Sequence, residues 1–356
     1  MPRRIFRRVV WMYRNIRRLN ILLGGGGVKG IAYVGTFDAI RKKGYMPVNL
    51  AGVSSGAIAA TLACAGYNTE GMWNTLEALE LDKFSLNTIE KKVPAVRYLS
   101  AYARQSKLYP AEIMELFLNQ FTPRSRNIHD EPDQKRGILQ GILKLCKNGC
   151  LFDGDLLEEW MAGVLLKRGI RTFADLRGGK ADESNPSGYR ARMTGVDCNR
   201  LKVVILPDDA AFYGIRPDDL EVARAIRIST AVPFAFKPVV IAKREGDTLI
   251  QYNLVDGGVL DSYPTWLMGN SGIPAAGFRL RSSEKKTINL KTPLSIFKSL
   301  VTAVHDIGSP EDNPAALAFN GEIDTGSVGF LDFELSLDQK HALYESGRKA
   351  AMNLNI

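Results

Sequence analysis

Histidine is scarce in this chain: 356 residues contain three, His129, His305 and His341. Any catalysis built on an imidazole must use one of them. His129 lies in a polar stretch and His341 sits beside Lys340 in a terminal helical segment, so His305, in LVTAVHDIGSP, is the plausible candidate. A histidine downstream of an acid is what an ordinary Ser-His-Asp hydrolase would need. Cysteine is nearly as sparse. Cys64, Cys146, Cys150 and Cys198 do not form a disulfide framework. The CxxxC spacing of Cys146 and Cys150 lacks the second pair or nearby histidine that a zinc site requires. This usage fits reduced thiols in a cytoplasmic compartment, and no metal is expected. No apolar run reaches the roughly 18–20 residues of a membrane span, and no secretory h-region is present. Internal repeats and a dividing linker are also absent.

Acids are missing from one place in particular. Residues 1–18, MPRRIFRRVVWMYRNIRR, carry seven arginines and neither lysine nor acid, which leaves two of the net nine positive charges for the rest. Specific nucleic-acid binding through a broad basic surface therefore loses its support. On a helical wheel, Leu19, Met12, Ile5, Ile16, Val9, Tyr13, Phe6 and Val10 share one half. Arg3, Arg4, Arg7, Arg8, Arg14 and Arg18 share the other, with Arg17 at a boundary and Trp11 misplaced. Such a basic amphipathic arm is expected either to lie on a membrane surface or to pack on its own domain. A mitochondrial transit peptide has similar composition, but a strand expected by Leu19 leaves no room for a cleavage site.

What is present is the make-up of a soluble protein with a sizeable core, 45% hydrophobic and 24% charged. Ile21–Leu23 reads as a buried strand, followed by a glycine loop and a helix from Val28 to Lys43, ended by Gly44. Val48–Val53 is a second strand, and AIAATLACA a small-residue helix closed by Gly66. This βαβα opening predicts an α/β fold with a mainly parallel sheet. Residues 84–149 become helical and charged, with Pro94, Pro110 and Pro123 as breaks, and read as a cap-like insertion holding a polar loop at 122–137. Strand signals resume at ARMTGVD, KVVILP and PVVIA, then at TLIQYNLVDGG, with a hairpin across KREGD. The chain closes with GFLDFELSL and a helix whose start, Ser336–Gln339, has capping-box spacing.

The glycine loop, NILLGGGGVKG, admits two chemistries. Gly25, Gly27 and Gly30 satisfy GxGxxG between strand and helix, as in dinucleotide binding. That motif needs an acid about 20 residues on to hold a ribose, and the corresponding PVNLAGVSSG contains none. A Walker A loop fails because Lys29 precedes Gly30 and no Ser or Thr follows. At the place of the missing acid stands a serine. Gly52-Val53-Ser54-Ser55-Gly56 is GxSxG at a strand-to-helix turn, the setting of a nucleophile elbow. Ser54 is the nucleophile candidate, Gly52 and Gly56 clear its surroundings, and Ser55 reads as an ordinary helix-start residue. The first loop then has a matching task, in which Gly25, Gly26, Gly27 and Val28 offer N–H groups to an oxyanion. Asp256, in NLVDGGVLDSYP, is the best-placed acid; Asp197 is a weaker competitor and Asp261 a turn or cap residue. Partial burial would raise such a carboxylate towards a useful base.

GGGGVKG, GVSSG and VDGG, in that order, resemble the three blocks of the patatin-like phospholipase family. AIRISTAVPFAFKPV resembles its intervening segment, with Ser229, Ala231, Pro233 and Phe236 in register; LFDGDLLEEWM and FLDFELSLDQKHALYESGRKA also look like family blocks. The likeness runs from about Leu19 to Ala351 and is weakest over 84–149. It implies a three-layer α/β/α fold, a Ser54–Asp256 dyad without histidine, and neither metal nor cofactor. The departure is Gly24, where many members carry Asp, a change expected to affect loop packing. The expected activity is cleavage of fatty-acyl esters of phospholipids or other lipids by a protein peripherally associated with membrane, with Lys29 either meeting lipid phosphate or remaining solvated. Three rivals stay open: a triad esterase using His305, a dinucleotide-binding enzyme, and a catalytically idle lipid-binding module.

Overall fold

Two buried parallel strands and the crossover between them set the frame. The computed structural model describes residues 17–79, 150–152, 154–269, 271–283, 317–330, 332 and 334–356. β1 (Arg17–Leu23) pairs in parallel with β2 (Tyr45–Gly52). Between them lie a 3-10 turn over Gly27–Ile31 and helix α1 (Ala32–Lys42). Gly44 ends that helix at φ +78°, a conformation that suits a residue without Cβ. β1 starts two residues earlier than the arm reading allowed. Arg17 and Arg18 are strand residues opposite Tyr45 and Met46, so neither belongs to a helical arm face. The Arg17 guanidinium donates to Tyr45 Oη at 2.9 Å and to the Ile356 carbonyl at 3.2 Å, and Tyr45 Oη donates to that carbonyl at 2.8 Å. Ile356 is thereby tied to the entry of β1. Residues 1–16 lie outside the described set, as do 80–149, which hold the expected insertion and His129, and 284–316, which hold His305.

After β2 come α2 (Ser55–Cys64), α3 (Thr69–Glu77), β3 (Cys150–Phe152), α4 (Asp155–Leu166), β4 (Ala191–Asp197) and β5 (Lys202–Leu206). The remainder comprises α5 (Val222–Ser229), β6 (Phe234–Phe236), β7 (Val239–Glu245), β8 (Thr248–Asp256), β9 (Ala275–Arg281), β10 (Phe319–Asp324) and α6 (Leu337–Met352). The main sheet runs β10-β9-β1-β2-β4-β8-β7, with β5 also on β4. Pairings from β10 through β4 are parallel, whereas β5, β8 and β7 join antiparallel. β7 and β8 form the expected hairpin, turning at Gly246. The capping box at Ser336 and Gln339 is present, each residue's backbone N–H donating to the other's side chain at 2.9 and 3.2 Å. GFLDFELSL contributes no strand among its described residues; the last strand among the described residues is β10, further upstream.

Strand alternation feeds two cores. Leu19, Ile21 and Leu23 face Phe37 of α1, Leu62 of α2 and Leu343 of α6, while Leu22 turns the other way, towards Ala51, Tyr263, Leu267 and Leu317. A sheet that buries both faces reads as a near-continuous apolar run, which is why ILL and NLAG carry no polar alternation. α1 and α6 approach backbone to backbone. A Cβ on Gly35 would collide with the Tyr344 carbonyl, and one on Gly347 with that of Ala32. The result is the expected three-layer α/β/α arrangement.

Candidate active site

The sheet itself brings the two nominated residues together. Gly52, the end of β2, lies opposite Met193 of β4, and Asp256, the end of β8, lies opposite Gly195. β5 occupies the other edge of β4 over the same residues. β2 and β8 therefore share one edge of β4 and meet end to end, two residues apart, or ~7 Å along the strand. Ser54 leaves the end of one and Asp256 terminates the other.

Ser54 is the residue before α2, with φ 53° and ψ −121°. Only one other non-glycine described residue, Leu201, has positive φ. The turn is possible because its neighbours lack side chains. A Cβ on Gly52 would run into the Gly56 backbone, and a Cβ on Gly56 into the Leu23 carbonyl. The Ser54 N–H donates to Ser229 Oγ at 3.1 Å, while its carbonyl starts α2 by accepting from Ala57 and Ile58. Ser55 is the first residue of α2, as its place suggested. Its hydroxyl is buried, has no hydrogen-bond partner among the described residues, and lines the cavity described below.

The glycine loop divides its donors. Gly24 N–H donates to the Phe278 carbonyl at 3.0 Å, Gly25 N–H to Ser262 at 2.9 Å, and Val28 N–H to Phe330 at 3.3 Å. Among the described residues the Gly26 and Gly27 N–H groups have no partner. Of the four nominated oxyanion donors, Gly25 and Val28 are thus engaged in holding the loop, and Gly26 and Gly27 stay available. Gly27 has φ +60°, and a Cβ there would strike the Phe330 carbonyl. At Gly24 a Cβ would stand 3.2 Å from the Tyr263 ring and 3.3 Å from the Ser262 carbonyl. The glycine there gives the loop a tight seat on that face.

Asp256 is 1% exposed. Its N–H donates to the Ala231 carbonyl at 2.9 Å, and its Oδ1 accepts from Gly258 N–H at 2.7 Å. Burial pushes the carboxyl up to about 7, against the opposing pull of the Ser54 hydroxyl and the Gly258 N–H. Oδ2 has no hydrogen-bond partner among the described residues, while the Ser54 hydroxyl is near enough to pull the carboxyl down. Such contacts tighten when substrate binds.

Beside Ser54 opens a cavity of about 590 Å³. Its wall is mostly apolar, with Ile58, Leu76, Leu157, Val232 and Phe236, and it also takes in Gly27, Thr230 and Lys340. Lys29 is absent from that wall. It is buried and interacts within the protein, so the solvated alternative does not hold. Asp197 is occupied by Tyr213 Oη at 2.8 Å and by the Asn199 and Arg200 N–H groups. Asp261 accepts from Tyr263 N–H and Trp266 Nε1, a turn role as expected. His341 stacks on Trp73. Ser229 and Ala231 were matched by resemblance without a role, since no local pattern reveals a bond spanning 175 positions.

A family model for patatin-like phospholipases matches residues 21–268. The chain belongs to the patatin-like phospholipase family. Within it, the uncharacterized protein YqhO of Bacillus subtilis is 28% identical over 92% of this chain and 94% of its own. Lysophospholipase NTE1 of Scheffersomyces stipitis is 25% identical over 50% of this chain, but the match covers only 13% of that much longer protein. Among solved structures, VipD from Legionella pneumophila aligns at TM-score 0.45 and 15% identity, over 94% of this chain and 66% of VipD. The type III effector ExoU aligns at TM-score 0.36 and 17% identity, over 94% and 52%. Membership in the patatin-like phospholipases supports a lipid ester hydrolase. No helix among the described residues is long and apolar enough to cross a membrane.

Proposed function

We propose that the protein is a serine acyl hydrolase that cleaves fatty-acyl esters of phospholipids or related lipids at a Ser54–Asp256 dyad. The observation that carries this reading is a buried carboxyl, raised to about 7, beside a strained serine at the wall of an apolar cavity. A carboxylate with that acidity is matched to proton transfer near neutral pH. Asp256 takes the proton from Ser54 Oγ as the oxygen attacks the ester carbonyl. The developing oxyanion meets the Gly26 and Gly27 N–H groups, which need no reorganisation to receive it. The alcohol leaves with the proton held by Asp256, and the same carboxylate then activates the water that releases the acyl group. The apolar wall receives the acyl chain. The arm before Arg17 serves membrane contact, and residues 84–149 govern access to the cavity.

The deciding experiment treats the full chain with a fluorophosphonate probe and locates the adduct by mass spectrometry. Labelling at Ser54, lost in Ser54→Ala together with hydrolysis of lipid esters, supports the dyad. Full activity in Ser54→Ala, or labelling at Ser55 instead, rejects it. His305→Ala distinguishes the triad alternative and is expected to keep most activity.

A further inference from the structure

We propose that Ser229 is a positioning residue for the nucleophile, and that the turn Ser229–Ala231 sets Ser54 and Asp256 in register; this rests on the dyad reading above. Backbone in a sparsely populated region persists only where neighbours over-determine it. At Ser54 the neighbour is distant in sequence. Its N–H lies outside the α2 ladder and donates to Ser229 Oγ, a fully buried acceptor at the last residue of α5. Two residues further on, the Ala231 carbonyl receives the Asp256 N–H at 2.9 Å.

The turn between these two contacts is itself pinned. Thr230 Oγ1 donates to the Ile226 carbonyl at 2.8 Å, and Val232 N–H donates to the Thr230 carbonyl at 2.8 Å. Thr230 and Val232 also line the cavity. One short segment thus touches the nucleophile's backbone, the base's backbone and the substrate wall. Packing alone does not call for a hydroxyl at 229, because alanine would fill almost the same space. The oxygen matters as an acceptor. Without it the Ser54 N–H is buried and unpaired, and the elbow gains a reason to leave φ 53°.

The test is Ser229→Ala in the full chain, assayed on p-nitrophenyl butyrate and with the fluorophosphonate probe. The expected result is a roughly tenfold or greater fall in kcat at unchanged KM, with an equal fall in labelling rate. The apparent pKa of the kcat/KM profile should stay in place, because the surroundings of the carboxyl are kept. Ser229→Thr, which retains the hydroxyl, should recover most of the rate. Thr172→Ala, which removes the cap of the 3-10 turn Phe173–Leu176, none of whose residues line the cavity, supplies a control for a loss of stability alone. An unchanged kcat in Ser229→Ala overturns the inference, as does a fall no larger than in the control or one confined to KM. Should Ser229→Ala not fold, Ser229→Cys, a weaker acceptor of similar shape, is read by the same criteria. A dead Ser54→Ala beside an unaffected Ser229→Ala rejects this inference alone, whereas an active Ser54→Ala rejects the dyad itself.

Discussion

Two strand-to-helix turns stand side by side at the ends of β1 and β2, and both are rich in glycine. The turn after β1 presents backbone: Gly24, Gly25 and Val28 are fastened by hydrogen bonds, and among the described residues the N–H groups of Gly26 and Gly27 have no acceptor. The turn after β2 presents a side chain, with Ser54 held at positive φ. Glycine serves the first by letting the chain fold close to Phe330, and the second by letting β1, β2 and α2 nearly touch. Glycine-rich turns therefore support a donor array in one place and a raised hydroxyl in the other. Whether a glycine can be replaced depends on what its Cβ would meet, and that differs sharply between the turns.

The largest effect tests whether the turns belong to one machine. Ser54→Ala and Asp256→Asn should each lower kcat by roughly 10⁴-fold or more, with the double variant little worse, since members of one catalytic unit are not additive. Steady-state hydrolysis of a soluble ester measures this, and additive losses would separate the two residues.

Next come the glycines. Gly26→Ala places a Cβ against Leu280 Cδ1, the movable tip of a side chain, at an extended φ of 175°. Its fold should survive; alanine keeps the N–H, so kcat should fall only through displacement of that donor, about 10²-fold for a shift near 1 Å. Gly56→Ala places a Cβ against the Leu23 and Gly24 carbonyls, which are backbone. It should fail by unfolding, with a loss of about 3 kcal/mol or more. Thermal melts beside activity sort the two, and a folded but inactive Gly56→Ala would break the contrast.

A smaller effect follows from the carboxyl. Asp256 is raised to about 7, so the ionised base predominates above neutrality, and kcat/KM should climb through that pH and level off. Stability moves the opposite way. The unfolded carboxyl loses its proton near 3.9, so the stabilisation from this group is complete below that value and disappears as pH rises towards 7. Asp256→Asn should accordingly gain melting temperature over the wild type at pH 8 and show little difference at pH 4.

Much of this is legible in the amino-acid sequence. The apolar run ILL, the loop glycines and GVSSG follow from local rules, because a strand, a helix start and a tight turn are decided within a few residues. The capping box at Ser336 was read for the same reason. β9 and β10 were not, since AAGFRLR and FNGEID carry weak patterns and become strands by completing the parallel row beside β1. The partition of the N–H groups was also hidden. Gly25 and Val28 are tied up by the carbonyls of Ser262 and Phe330, more than 200 residues away in the chain, and no motif records such a bond. The start of β1 was placed late because arginines at 17 and 18 continue the arm's composition while their backbones already pair with β2.

For turnover of a soluble ester, the smallest expected change concerns that arm. Removing residues 2–16 should weaken binding to anionic vesicles, at about 1 kcal/mol for each basic residue near the surface, while turnover of a soluble ester stays almost constant. Vesicle sedimentation at two salt concentrations checks it, and a joint loss of soluble turnover and melting temperature would return the arm to the domain.

The knot of Arg17, Tyr45 and Ile356 gives that experiment a geography. It marks the pole where parallel strands enter the sheet, whereas Ser54 stands at the pole where they leave, a strand length of ~20 Å away. A segment joined at Arg17 therefore pulls on the end of the sheet opposite Ser54. Under the membrane role proposed for it, such a segment would act as a leash, raising local concentration while leaving the Ser54 end free. Ile356 shares the same pole, so a fluorophore attached at that residue would sit beside Arg17 and away from Ser54.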